Sequence, residues 1–73
     1  MTAYYELWNT ASGNRIDGFT SLGAMLNIVR EIAYLGGDVA VENLMADVRF
    51  RKEDDEPFDW IEGDDLLDRI KVR

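Results

Sequence analysis

The stretch that decides the fold is residues 20–37, TSLGAMLNIVREIAYLGG, which has the features of one complete helix. Thr20 and Ser21 are both favourable N-cap residues. The apolar residues that follow recur every three to four positions, which places them on one buried stripe of a helix; they are Leu22, Met25, Leu26, Val29, Ile32 and Ala33. Gly36 and Gly37 favour a left-handed helix end. The pattern predicts a long amphipathic helix that packs on a sheet.

Two strands are predicted before this helix. Residues 3–9 are rich in strand formers, and residues 15–19 follow a turn that contains Gly13. The Asp17-Gly18 pair indicates a bulge in the second strand, which would bring Ile16 and Phe19 to the same face. A hairpin therefore leads into the helix.

The residues after the helix predict two more strands and a short helix. Residues 38–43 form either a connection or one helical turn. Residues 44–51 alternate between apolar and polar side chains, which is typical of a strand with one buried face. Residues 52–57 form a charged loop, residues 58–61 pair back as a fourth strand, and a final helix opens at Gly63. The order is ββαββα in a single α+β domain, residues 1–73. It predicts an antiparallel or mixed four-stranded sheet with the long helix on one face.

The predicted core lies between the long helix and this sheet. Its members are the apolar residues of the helix stripe and of the inward strand positions: Leu7, Ile16, Met25, Leu26, Val29, Ala33, Val48 and Phe50. A single core in a chain below about 70–80 residues rarely supplies more than about 3–5 kcal/mol. Self-association or a stable partner is therefore expected.

Composition limits the possible chemistry. The chain has 73 residues, a formal charge of -7, no cysteine and no histidine. Disulfides, thiolate or imidazole metal ligands, a cysteine nucleophile and an imidazole base are thereby excluded. The first residues have no basic segment followed by an apolar stretch, and no apolar run approaches the ~18 residues of a membrane span. A cytoplasmic location and no cofactor are expected.

The negative charge is concentrated in residues 53–65, here called the acidic segment, which contain eight acidic residues and no basic one. Residues 1–52 have five basic and six acidic residues, a net charge of -1, whereas residues 53–73 have three and nine, a net charge of -6. This argues against binding a nucleic-acid backbone or an anionic membrane.

Several interpretations of the acidic segment compete. The carboxylates do not follow the spacing of a calcium loop, and nothing singles out two of them as a catalytic acid and base. They can attract a basic partner or imitate the phosphates of a nucleic acid. They can also form a solvated loop that keeps a small protein soluble.

Three surfaces supply candidate partner-binding residues. In the acidic segment they are Asp54, Asp55, Glu56 and Asp59. On the sheet face away from the helix they are Tyr4, Trp8, Arg49 and Arg51, because aromatic residues and arginine are enriched in interfaces. On the flank of the helix stripe they are Ile28 and Leu35, which are either the rim of the core or a contact with another chain.

Motifs along most of the chain resemble a group of short bacterial proteins of unknown function. The residues that carry the resemblance are YELWN at 5–9, SGNRI at 12–16, Phe19-Thr20, Val29-Arg30 and IEGDDLL at 61–67. The group has a pattern of Y-x-L-W, S-G-N-x-I and F-x-T. The strand–strand–helix part also resembles HicB-like antitoxin domains at the level of the fold. That second resemblance implies an acidic protein that neutralises a basic RNA-cleaving toxin.

The sequence thus predicts a non-enzymatic protein-protein interaction module. In its sharper form the chain is an antitoxin or inhibitor of a basic nucleic-acid-handling protein. The alternative is a nucleic-acid-mimicking protein of a phage or mobile element, and a small enzyme ranks third. A basic protein partner and a homodimer are expected, with no direct contact to nucleic acid or membrane.

Overall fold

A computed structural model describes residues 3–71. The elements are β1 (Tyr4–Asn9), β2 (Asn14–Phe19), α1 (Leu22–Glu42), β3 (Leu44–Arg49), β4 (Asp59–Glu62) and α2 (Gly63–Lys71). The predicted α+β class and ββαββα order are confirmed. All three strand pairings are antiparallel.

The four strands lie in the order β2-β1-β3-β4, so β1 and β3 form the centre of the sheet. Leu7 of β1 lies opposite Ala46 of β3, which in turn lies opposite Ile61 of β4. Because side chains alternate along a strand, these residues share one face. They belong to the same buried cluster as residues of both helices, so α1 and α2 cover this face. The opposite side of the sheet is called the open face below.

The core contains residues from all elements except β2: Leu7, Met25, Val29, Val41, Leu44, Ala46, Val48, Ile61 and Leu66. Four of the eight predicted core residues are among them, and Leu26 and Ala33 pack against the cluster while partly buried. Leu66 of the short helix is fully buried, so α2 is an integral part of the fold.

Ile16 is not in the core, contrary to the sequence prediction. The register of β1 and β2 shifts between Leu7 and Trp8, which lie opposite Asp17 and Arg15. Ile16 is the extra residue between those two partners, and it is 39% exposed. The bulge exists, but it displaces Ile16 from the ladder instead of bringing it inward.

Phe50 is also outside the core, at 54% exposure. The regular strand ends at Arg49, one residue earlier, so the alternation that pointed Phe50 inward no longer applies. Its ring instead stacks on Phe58, with ring centroids 4.2 Å apart. The prediction failed because the length of a strand depends on how far its partner pairs with it.

The long helix begins and bends close to where the sequence indicates. Ser21 is the N-cap, and its side chain accepts a hydrogen bond from the Ala24 N–H at 3.0 Å. Gly37 adopts the left-handed backbone, with φ 78°, that favours glycine. The helix does not end there, however, because residues 38–42 continue as helix beyond the kink. Val41, in this part of the helix, is fully buried in the core, and its burial stabilises the helical conformation of residues 38–42.

The segment beyond the kink is also tied to α2. Lys71 Nζ donates to Asp38 Oδ2 at 2.9 Å. This hydrogen bond, with the attraction between the two charges, raises the pKa of Lys71 above its ordinary value. The ion pair therefore links the end of the second helix to the kinked end of the first.

Candidate functional site

The start of the acidic segment is held in place by two arginines. The Arg51 backbone N–H and Nε donate to the carboxylate of Asp54, at 3.0 and 3.3 Å. The Asp54 N–H donates back to the Arg51 carbonyl at 3.1 Å. Arg49 Nη1 donates to the Asp54 carbonyl oxygen. Asp54 is thus engaged in shaping the loop, whereas the neighbouring acids are not.

The other carboxylates of the acidic segment project into solvent. They are Glu53, Asp55, Glu56, Asp59, Glu62, Asp64 and Asp65, and all seven residues are exposed. None of them forms an ion pair with another residue in the range 3–71. Carboxylates without cationic partners keep their negative potential, and neighbouring ones reinforce each other.

Three large aromatic residues lie half-exposed in and beside the acidic segment: Phe50, Phe58 and Trp60, here called the aromatic group. Their exposed fractions are 54%, 50% and 52%. Sequence reasoning did not identify them as surface residues. The available signal was alternation: Trp60 lies next to the buried Ile61 on β4 and so points to the opposite face, and Phe58, just before the strand, is two residues from Trp60.

The open face contains three of the four predicted residues, Tyr4, Trp8 and Arg49, but it does not expose all of them. The prediction for Arg51 is wrong, because β3 ends at Arg49 and Arg51 lies in the loop that follows. Tyr4 lies opposite Arg49, and Trp8 opposite Met45, as their shared face requires. Tyr4 is only 8% exposed, so its expected exposure is wrong. Its hydroxyl accepts a hydrogen bond from Arg15 Nη2 at 3.2 Å, which holds the arginine across it. Trp8 is half-buried, and its Nε1 has no hydrogen-bond partner among the described residues.

A network of charges occupies the centre of the open face. The Glu6 carboxylate lies between Arg15 Nε, at 3.3 Å, and Arg49 Nη2, at 3.7 Å. Arg49 Nη2 also lies 3.1 Å from Asp47 Oδ2. The Tyr4 hydrogen bond, followed by Glu6, raises the pKa of Arg15. The Arg49 side chain is only 15% exposed, and its positive charge is paired with Glu6 and Asp47. Little of this side chain is therefore available to contact a partner.

The two helix-flank candidates differ in environment. Ile28 is partly buried and packs against the core, as expected for the rim. Leu35 is 83% exposed, and it is joined by the exposed residues Tyr34 and Val39. These three residues, here called the helix patch, surround the kink at Gly37. Sequence reasoning identified only Leu35, because the exposure of Val39 depends on the direction of the helix after the kink.

Other kinds of site are not found among residues 3–71. No group of three or more acidic side chains is placed to hold a metal ion, and no pocket is found there. No helix in this range is both long and apolar enough to cross a bilayer. No family model, curated protein or solved structure matches the chain.

Proposed function

We propose that this chain is a non-enzymatic protein-binding module whose acidic segment docks a basic partner. The observation that carries the proposal is the state of the carboxylates: seven of the eight are exposed and form no ion pair with any residue between 3 and 71. Unpaired carboxylates retain their negative potential, which attracts a basic surface and accelerates encounter.

The aromatic group supplies the second part of such a surface. Half-exposed aromatic rings are typical anchors of protein interfaces, where they fill pockets of the partner. Lysine and arginine side chains also bind to the faces of aromatic rings. A segment that served only solubility would need the carboxylates but not Phe58 and Trp60 beside them.

The partner class that fits best is a basic protein that handles nucleic acid. Surfaces that bind phosphates carry clustered lysine and arginine, and clustered carboxylates are complementary to them. Occupying that surface would block the nucleic acid, so the module would act as an inhibitor or antitoxin. Pure phosphate mimicry is the competing form, and it would leave the aromatic group dispensable.

The test is capture of partners from a cell lysate on the immobilised chain, with identification by mass spectrometry. We expect enrichment of a basic protein whose association slows steeply as salt rises, because exposed charges are screened beyond about 8–10 Å at physiological ionic strength. The variant Asp55→Asn/Glu56→Gln should lose most of this capture. Asp54 is kept because it shapes the loop.

The matched control is Glu31→Gln/Glu42→Gln, which removes the same charge from exposed positions on α1. Its capture should equal that of the parent. Equal losses in both variants would mean that only net charge matters and would contradict the proposal. Trp60→Ala separates the two forms: undiminished binding would favour phosphate mimicry over an anchored interface.

A further inference from the structure

The two edges of the sheet differ in regularity. β2 and β4 are the outer strands. The ladder of β2 is interrupted by the bulge at Ile16, and such irregular edges are poor templates for another strand. β4 instead pairs with β3 without a register break, from Met45 opposite Glu62 to Val48 opposite Asp59. It therefore offers a short regular edge.

A backbone donor of β4 is occupied by a side chain that can be exchanged. The Trp60 N–H donates to Asp59 Oδ1 of the preceding residue at 2.8 Å. A carboxylate held in this way is free to turn toward an ammonium or guanidinium group, which would release the N–H for a carbonyl oxygen of an added strand. The hydrogen bond thus protects the edge in the free protein.

Charge decides which strand can be added. Asp59 and Glu62 lie on β4 itself, and Asp64 and Asp65 follow in the first turn of α2. A second copy of this chain would bring the same carboxylates to the edge, and like charges on adjacent strands are destabilising. An extended segment with lysine or arginine would be complementary.

The side chains of β4 favour a particular pattern in that segment. Trp60 and Glu62 lie two residues apart and therefore share the open face. Basic residues at alternate positions of an added strand would place one charge over the exposed Trp60 ring and another beside Glu62. Stacking on the ring and pairing with the carboxylate would then reinforce the backbone hydrogen bonds.

We infer that β4 is the docking edge of the module, and that the partner binds by adding an extended basic segment to it as a fifth strand. The inference rests on the proposed function and specifies how the basic partner is recognised. Main-chain hydrogen bonds would supply affinity, and the alternate basic residues would supply specificity.

The probe is a synthetic peptide of alternating lysine and valine, titrated into the isotope-labelled chain and followed by backbone amide NMR. We expect saturable shifts centred on residues 59–62, with slower hydrogen exchange at the Trp60 amide. A second peptide has the same sequence with alternate backbone nitrogens methylated, so that it keeps the charges but loses edge hydrogen bonds. It should bind about tenfold more weakly or worse.

Equal affinity of the two peptides would overturn the inference, as would shifts confined to residues 53–56 or to α2. In either case a basic partner could still be captured through charge alone, so the failure of strand addition is distinguishable from failure of the proposed function. Asp59→Asn/Glu62→Gln should weaken the unmodified peptide, whereas Glu31→Gln/Glu42→Gln should not. A larger loss of peptide affinity in Glu31→Gln/Glu42→Gln than in Asp59→Asn/Glu62→Gln would also contradict the inference.

Discussion

Residues 4–42 and 44–71 form two units of the same kind, each a hairpin followed by a helix. β1 and β3 lie antiparallel at the centre of the sheet with their hairpin partners outside. This arrangement relates the two units by an approximate half-turn about an axis through the sheet, with both helices on one face. The two units therefore share the same order of elements and the same arrangement in the sheet.

The units differ in how they use their hairpin loops. In the first, the Asn9 side chain accepts hydrogen bonds from the Ala11 and Ser12 N–H groups, which closes a short turn. In the second, residues 50–58 form a longer loop with exposed acids and aromatic rings. Loops on a rigid scaffold are the usual carriers of binding residues. The loop of the first unit is thus only a tight connection between its strands, whereas the loop of the second unit also exposes acidic and aromatic side chains.

The largest effect is expected from removing one core side chain from each unit, which tests whether both units contribute to the shared core. Met25 of α1 and Leu66 of α2 are both fully buried. Leu66→Ala and Met25→Ala should each lower the free energy of unfolding by about 2–5 kcal/mol, because each leaves a cavity in the shared core. Urea denaturation followed by circular dichroism measures the loss. A loss below about 1 kcal/mol for Leu66→Ala alone would show that the second unit is an appendage.

A smaller effect should distinguish the two arginines that pair with Glu6. Arg49→Met leaves the largely buried carboxylates of Glu6 and Asp47 without this partner and releases the loop at Asp54. We expect a loss of about 1–3 kcal/mol and faster amide exchange across residues 50–58. Arg15→Met should cost less, since its side chain is 42% exposed and the pair is screened by solvent. Equal losses in stability would contradict the asymmetry between the units.

The smallest effect expected concerns the helix patch of the first unit. Exposed apolar residues on a small domain favour association, so we expect sedimentation velocity to show a dimer at micromolar concentration. Leu35→Lys should shift the equilibrium to monomer, because a charge at this 83% exposed position would have to be buried in the contact. The control Leu35→Met keeps the patch apolar and should retain the dimer. A monomeric parent protein would remove the helix patch as an interface.

Local signals were sufficient for the features that depend on neighbouring residues. The Ser21 cap and the burial of Met25 and Val29 follow from residues within one or two turns of the helix. The left-handed glycine at position 13, with φ 75°, likewise follows from the turn that it closes. Such features can be predicted because the interactions that create them are nearly contiguous in sequence.

Features that depend on a partner strand or helix were not predictable in the same way. Ile16 is exposed because the register between β1 and β2 shifts at that point. Val41 is buried because the chain continues as a helix after the kink at Gly37. Tyr4 is buried under contacts that include Arg15, eleven residues away. For the candidate site, the acids were evident from composition. The exposure of Trp60 required knowledge that β4 is an edge.

The kink at Gly37 also sets where the chain can return. A straight helix of 21 residues rises about 31 Å, which equals the longest dimension of the molecule, 31 Å. An unbroken α1 would deliver the chain at the far side of the domain, away from the place where β3 joins β1. The turn at this single glycine brings the polypeptide back to its own first hairpin. A residue at position 37 that favoured an ordinary helical angle would therefore displace Val41 from the core and move the start of β3 away from β1.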